Sequence, residues 1–158
     1  MNSQSEKIHD FNDVFMPHHG WVDEFIEAYN KLNVNNLKSL EEIYHNDIHF
    51  QDPLHTVNGR KNLIQYFEKM YTNIIYCHFD ITHSFNSENE AALYWDMTYQ
   101  HPGLNKGKKI IVHGHSRLKV VDRKVIFHRD YFDVGNLIYQ HVPLLGGLIN
   151  WINNRAAK

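Results

Sequence analysis

The chain has a single cysteine, Cys77, so it can close no internal disulfide and cannot build a thiolate metal site. The thiol is expected at a small, half-buried strand position. An excess of charge of one sign is also lacking. The formal net charge of −2 gives no electrostatic case for nucleic acid or an anionic membrane as a partner. No apolar run is long enough to span a bilayer. The start, Met1-Asn2-Ser3-Gln4-Ser5-Glu6-Lys7, is polar and lacks the apolar segment of a signal peptide, so a cytoplasmic location is expected. There is no phosphate-cradling glycine loop and no strong serine or cysteine nucleophile motif. Repeats, low-complexity stretches and linkers are absent. The chemistry left open is proton transfer without a cofactor.

What is present is an ordinary globular composition with one unusual component. A chain of 158 residues, 42% of them hydrophobic, suits one domain with a sizeable core. Thirteen histidines would make the charge strongly positive below roughly pH 6.5.

Residues 1–18 have no clear period and are expected as a leader, with a single domain over 19–158. A helical period begins at Trp21, Val22, Phe25, Ile26, Tyr29 and Leu32. A short second helix follows Asn35-Asn36, turning Leu37, Leu40 and Ile43 inward. A strand through Ile48 and Phe50 ends at Asp52-Pro53, where proline stops the ladder. A third helix starts near Asn58 as N-cap and buries Leu63, Ile64, Phe67, Met70 and Tyr71. Strands then cover roughly residues 75–85, 91–101, 107–121 and 124–134. The tail, broken by Pro143 and Gly146-Gly147, ends in a short amphipathic helix through Leu148, Ile149, Trp151 and Ile152. It is expected to pack over the domain or at a subunit contact. Helices first and an antiparallel meander after them predict an α+β fold.

Alternation assigns faces. From 110 to 120, Ile110, Val112, Gly114, Ser116, Leu118 and Val120 form the inward face. His113 and His115 look outward, so they make a poor metal pair, and no metal is expected. In the strand 91–101, Leu93, Trp95, Met97 and Tyr99 share one face and Tyr94, Asp96 and Thr98 the other. Either set could line a pocket; alternation favours the first.

The end of the last strand, Phe127-His128-Arg129-Asp130-Tyr131-Phe132-Asp133, carries the most chemistry. His128, Asp130 and Phe132 share one side, an imidazole, a carboxylate and an aromatic ring. The acidic strand end Phe50-Gln51-Asp52-Pro53 lies far upstream. If both line one apolar hollow, burial and mutual repulsion would suit the carboxylates to acid–base work near neutrality.

These landmarks resemble the nuclear-transport-factor-2-like superfamily, and within it the SnoaL-like proteins. The resemblance rests on Asp47-Ile48-His49-Phe50-Gln51-Asp52-Pro53, on Gly59-Arg60, and on Arg129-Asp130-Tyr131-Phe132-Asp133. It implies a cone: a curved antiparallel sheet wrapped around three N-terminal helices, with a C-terminal helical tail and a hydrophobic pocket. It implies a homodimer through the outer sheet face and a small hydrophobic ligand. Similarity to limonene epoxide hydrolase makes Asp130 catalytic and puts its Arg-x-Asp pair near Tyr94 and Asp96, with tyrosine where the arginine belongs. Polyketide cyclases of this type use a His-x-Asp pair, which matches His128 and Asp130. Ketosteroid isomerase takes its base from an Asp-Pro strand end, which matches Asp52, but its oxyanion-hole residues fall at Phe25 and Gly114, which cannot serve. The expected catalytic set is therefore Asp130, His128, Asp52 and Asp96, with Phe50, Tyr94, Val112 and Phe132 at the ligand. A non-catalytic ligand-binding or association module is the other reading.

Overall fold

The computed structural model describes residues 20–142 and 144–156. The expected leader lies outside the described residues, as does Pro143. Helix α1 (Trp21–Asn30) buries Val22, Phe25 and Tyr29, the stripe that its period predicts. Asp23 and Glu24 sit in its first turn, where negative charge offsets the helix dipole. A single tight turn, Leu37–Ser39, leads into the short α2 (Leu40–Ile43). Strand β1 (Tyr44–Gln51) follows directly.

The region after Asp52-Pro53 differs from the sequence expectation. The chain folds back as a short strand β2 (Thr56–Asn58) antiparallel to the end of β1. Asn58 therefore closes a strand, and Gly59 is the N-cap of α3 (Arg60–Thr72). Gly59 has φ 84, a left-handed conformation that glycine adopts without a Cβ penalty. The Arg60 guanidinium then donates to the carbonyls of Glu41 and Tyr44, fixing α3 against the start of β1. Helix α3 buries Leu63, Phe67 and Tyr71, while Ile64 and Met70 are partly covered.

Four longer strands follow: β3 (Tyr76–Asn86), β4 (Glu90–Gln100), β5 (Ile110–Val121) and β6 (Lys124–Phe132). Strand β5 starts later than its alternation suggests, because Asn105–Gly107 forms a tight turn with Lys106 and Gly107 at positive φ. Asp122 and Arg123, both at positive φ, make the two-residue turn into β6. The order in the curved, open sheet is β2-β1-β6-β5-β4-β3. All neighbours are antiparallel except β1 and β6, which run parallel. That one parallel pair sets the Asp52 strand end beside the Asp130 strand end: Phe50 lies opposite His128 and Gln51 opposite Arg129.

Helices α1 and α3 pack on the inner face, formed by Ala91, Leu93, Trp95 and Met97 of β4 and Ile110, Val112, Ser116 and Leu118 of β5, all buried. His113 faces outward, with its side chain 74% exposed. Asp133 caps α4 (Val134–Leu137), accepting from the backbone of Gly135 and Asn136.

Of the two places expected for the tail, the domain surface is not the one it takes. Helix α5 (Leu145–Ala156) leans on the turn Tyr139–His141 and not on the sheet. Leu144, Leu145, Leu148 and Trp151 are exposed, and Ile149 is partly so. Gly146 sits so close to the Gln140 carbonyl that a side chain there would clash, so glycine lets the helix start against that turn. No helix among the described residues is long and apolar enough to cross a membrane.

Candidate functional site

A hollow of about 200 Å³ opens between α3, the inner sheet face and α4. Its walls are Phe50, Tyr66, Phe67, Phe79, Trp95, Met97, Tyr99 and Phe132, with Leu137 and Ile138 from the chain end. Asp52 and Asp130 both reach it, and no lysine or arginine is among the lining residues.

Asp130 is held by a chain of buried polar groups. Strand register places Ser116 directly opposite it on β5. The Ser116 hydroxyl donates to Oδ1 of Asp130 at 2.5 Å. The Trp95 indole donates to the Ser116 oxygen at 2.8 Å. An indole N–H only donates, so the direction from Trp95 through Ser116 to the carboxylate is fixed. Trp95 reaches Ser116 because Gly114 leaves its ring room; a Cβ at 114 would overlap the indole.

On the other side, Nε2 of His128 lies 2.7 Å from the same Oδ1. Its Nδ1 lies 2.6 Å from the Tyr44 hydroxyl, which lies 2.6 Å from that of Tyr29. With the imidazole neutral, one consistent direction runs from Tyr29 to Tyr44 to His128 to Asp130. His128 is 1% exposed and sits among the rings of Phe25, Tyr29, Tyr44 and Phe50. Burial, above all, holds the Tyr29 and Tyr44 hydroxyls well above the ordinary tyrosine range, so both stay protonated donors. Oδ2 of Asp130 has no hydrogen-bond partner among the described residues. Arg129 turns away, to Gln51 and over the Tyr131 ring.

Asp52 is bound differently. Its Oδ1 accepts from the backbone of Leu54 and His55 at 2.7 and 2.6 Å, closing the turn after Pro53. Its Oδ2 accepts from the Tyr66 hydroxyl at 2.6 Å. Burial first, and then this bond, raises the Tyr66 hydroxyl far above its ordinary value. Both oxygens of Asp52 are thus engaged, and the residue anchors a turn at the rim of the hollow.

Of the residues named from sequence, Phe50, Asp52, Asp130 and Phe132 line the hollow, and His128 stands behind Asp130. Val112 does not line it; it is fully buried in the core beside Met97, which does. Tyr94 and Asp96 are corrections. Because Trp95 and Met97 turn inward, their neighbours turn outward: Tyr94 is 43% exposed, and Asp96 pairs with His113 at 2.6 Å on the outer face. The sequence reading missed Ser116 as a donor, and missed Trp95, Tyr44, Tyr29 and Tyr66 as partners. Ser116, Trp95 and Tyr29 stood on inward faces in the sequence, whereas Tyr44 and Tyr66 did not stand out; the hydroxyl and indole contacts of all five depend on register and packing. Among the described residues no group of three His, Cys, Asp or Glu side chains is placed to hold a metal ion.

The curved sheet, the helices within it and a carboxylate facing the hollow define the architecture of the nuclear-transport-factor-2-like fold. The chain belongs to the SnoaL-like domain family, whose model matches residues 22–128. Solved structures share the fold. One is a protein with a ketosteroid isomerase-like fold from Catenulispora acidiphila, in complex with trimethylamine. It is 16% identical, covering 80% of this chain and 94% of that one, with a TM-score of 0.66. A protein assigned as a SnoaL-like polyketide cyclase from Shewanella putrefaciens is 20% identical over 74% of this chain and 90% of its own, TM-score 0.62. AclR from Streptomyces galilaeus, assigned as a hydroxylase, is 20% identical over 80% and 93%, TM-score 0.60. No curated protein matches the chain.

Proposed function

We propose that the chain is a cofactor-free acid–base enzyme, of the isomerase, cyclase or hydrolase type, acting on a small, mostly hydrocarbon molecule held in the hollow. Asp130 is the base. One observation carries this reading: Asp130 stands in an aromatic wall with Oδ1 held by Ser116 and His128 and, among the described residues, with Oδ2 unpartnered and no lysine or arginine lining the hollow to neutralise it. Two donors on one oxygen fix the carboxylate plane and aim the other oxygen. His128 positions Asp130 and supports its charge in the resting state. General acid–base catalysis of this kind contributes ~10²–10⁴ in rate. Asp52, with both oxygens engaged, shapes the rim and adds negative charge.

A non-catalytic ligand-binding or association module is the second reading, favoured by the structural bonding of Asp52 alone. Under either reading we propose a homodimer through the outer sheet face. Tyr94, His115 and Tyr131 stack there across three strands, beside exposed Phe85 and Ile111.

A melt of Asp130→Asn beside wild type separates the readings. The amide keeps an oxygen for Ser116 and His128 and removes a charge from the hollow. A catalytic carboxylate predicts an unchanged or higher melting temperature, because functional sites give up stability. A loss of about 1–3 kcal/mol, the cost of a broken buried polar contact, would assign Asp130 a structural role and overturn the proposal.

A further inference from the structure

The charge of the hollow and its walls together select a class of ligand. Eight of the sixteen lining residues are aromatic, and two are carboxylates. Among the described residues no lysine or arginine lines it, and none offsets the charge of Asp52 and Asp130. The nitrogen bases beside it among the described residues are His55, whose side chain is 53% exposed at the rim, and His128 behind Asp130. An apolar cavity carrying two carboxylates repels an anion strongly, because low polarity weakens screening. It attracts a cation, and ring faces add to that attraction.

Hydrogen bonding narrows the class. Three of the four carboxylate oxygens already accept protein donors, leaving Oδ2 of Asp130 as the open one among the described residues. A primary ammonium would bring three N–H donors to this one carboxylate oxygen, and a buried donor without a partner is costly. A tertiary ammonium brings one donor and a quaternary ammonium none. The hollow, at about 200 Å³, is below the ~300–1,000 Å³ common for drug-sized ligands, so the ligand is small.

We propose that the hollow binds a small hydrophobic ammonium ion, tertiary or quaternary, with its charged centre at Asp130 and its alkyl groups against Trp95, Phe132 and Phe50. The inference rests on the hollow being the ligand site of the proposed function and names the charge of what it holds; it does not need Asp130 to act as a base.

A series of three probes of one shape tests it on the wild-type chain: choline, its neutral carbon isostere neohexyl alcohol, and the anion tert-butylacetate. Binding is followed through the Trp95 indole N–H signal at about pH 8, where an ordinary histidine is uncharged. Choline should bind about tenfold or more tighter than the alcohol, and the anion weaker than both. Asp130→Asn should narrow the ratio of choline to alcohol. Equal binding of choline and alcohol, or tightest binding of the anion, overturns the cation while leaving the hollow as a ligand site. Silence of the Trp95 signal toward all three probes overturns both.

Discussion

Removing one hydroxyl, by Tyr44→Phe, tests the polar chain behind Asp130. The Tyr44 hydroxyl bonds to Tyr29 and to Nδ1 of His128, both at 2.6 Å. All three groups are buried, with Tyr44 at 0%, His128 at 1% and Tyr29 at 6% exposure. Phenylalanine keeps the ring and its contacts with Phe25 and His128, so the change isolates the hydroxyl. Two hydrogen bonds at ~1 kcal/mol each are lost, and the Tyr29 hydroxyl and His128 Nδ1 are left in a site that excludes water. A total of about 2–4 kcal/mol follows. For a chain of this size that is a fall in melting temperature of about 5–15 °C. Tyr29→Phe removes only the end of the chain and should cost ~1 kcal/mol. Urea unfolding of wild type, both single variants and the double variant reads these values, and the double should fall short of the sum because the hydroxyls share a bond. A Tyr44→Phe midpoint within ~0.5 kcal/mol of wild type, with an unchanged slope, would refute the reasoning.

Three other outcomes are expected. Gly114→Ala should cost about 1–3 kcal/mol in a thermal melt, since its Cβ forces the Trp95 indole off Ser116. Stability should fall at alkaline pH. Burial pushes the Cys77 thiol up to about 12 from an ordinary 9.0, so the folded state keeps a proton that the unfolded chain releases. That contribution is complete below pH 9.0 and is lost toward about 12, at up to ~1.4 kcal/mol per pH unit. The raised Tyr29 and Tyr44 hydroxyls add to the loss above pH 10.0. Cys77→Ala should flatten the first part of the decline in urea midpoints, and an equal decline in that variant would contradict the assignment. Light scattering at micromolar concentration should give the mass of a dimer, and a monomer mass would count against the outer face as an interface.

How much of this the sequence carries can be seen strand by strand. Alternation alone gives the inward face of β5 and the shared side of His128, Asp130 and Phe132. The same rule favoured Asp96 and Tyr94 outward but left either face of that strand open to the pocket, and the likeness to an Arg-x-Asp pair added weight to the wrong one. The partner of Asp130 was hidden by an irregularity. Counting back from the turn at Asp122-Arg123 pairs Asp130 with His115, an outer residue. A register shift between Lys119 and Val120 advances the pairing by one and brings Ser116 opposite Asp130 instead. The extra residue is Ile126, between Val125 and Phe127 on β6, and nothing in that apolar run marks a bulge. The parallel pairing of β1 with β6 was likewise beyond local pattern, since it joins segments about eighty residues apart. It brings Tyr44 and Asp52 to the site from either end of one strand.

The central claim is that Asp130 takes a proton from a molecule in the hollow. It is tested most directly by isotope exchange. A panel of small, mostly hydrocarbon carbonyl and ammonium compounds, incubated in heavy water with wild type and with Asp130→Asn, would be read by proton NMR for deuterium uptake at carbon. The account predicts uptake above background in at least one compound with wild type and its loss in Asp130→Asn. Equal uptake with both proteins, or none across the panel with wild type, would contradict it.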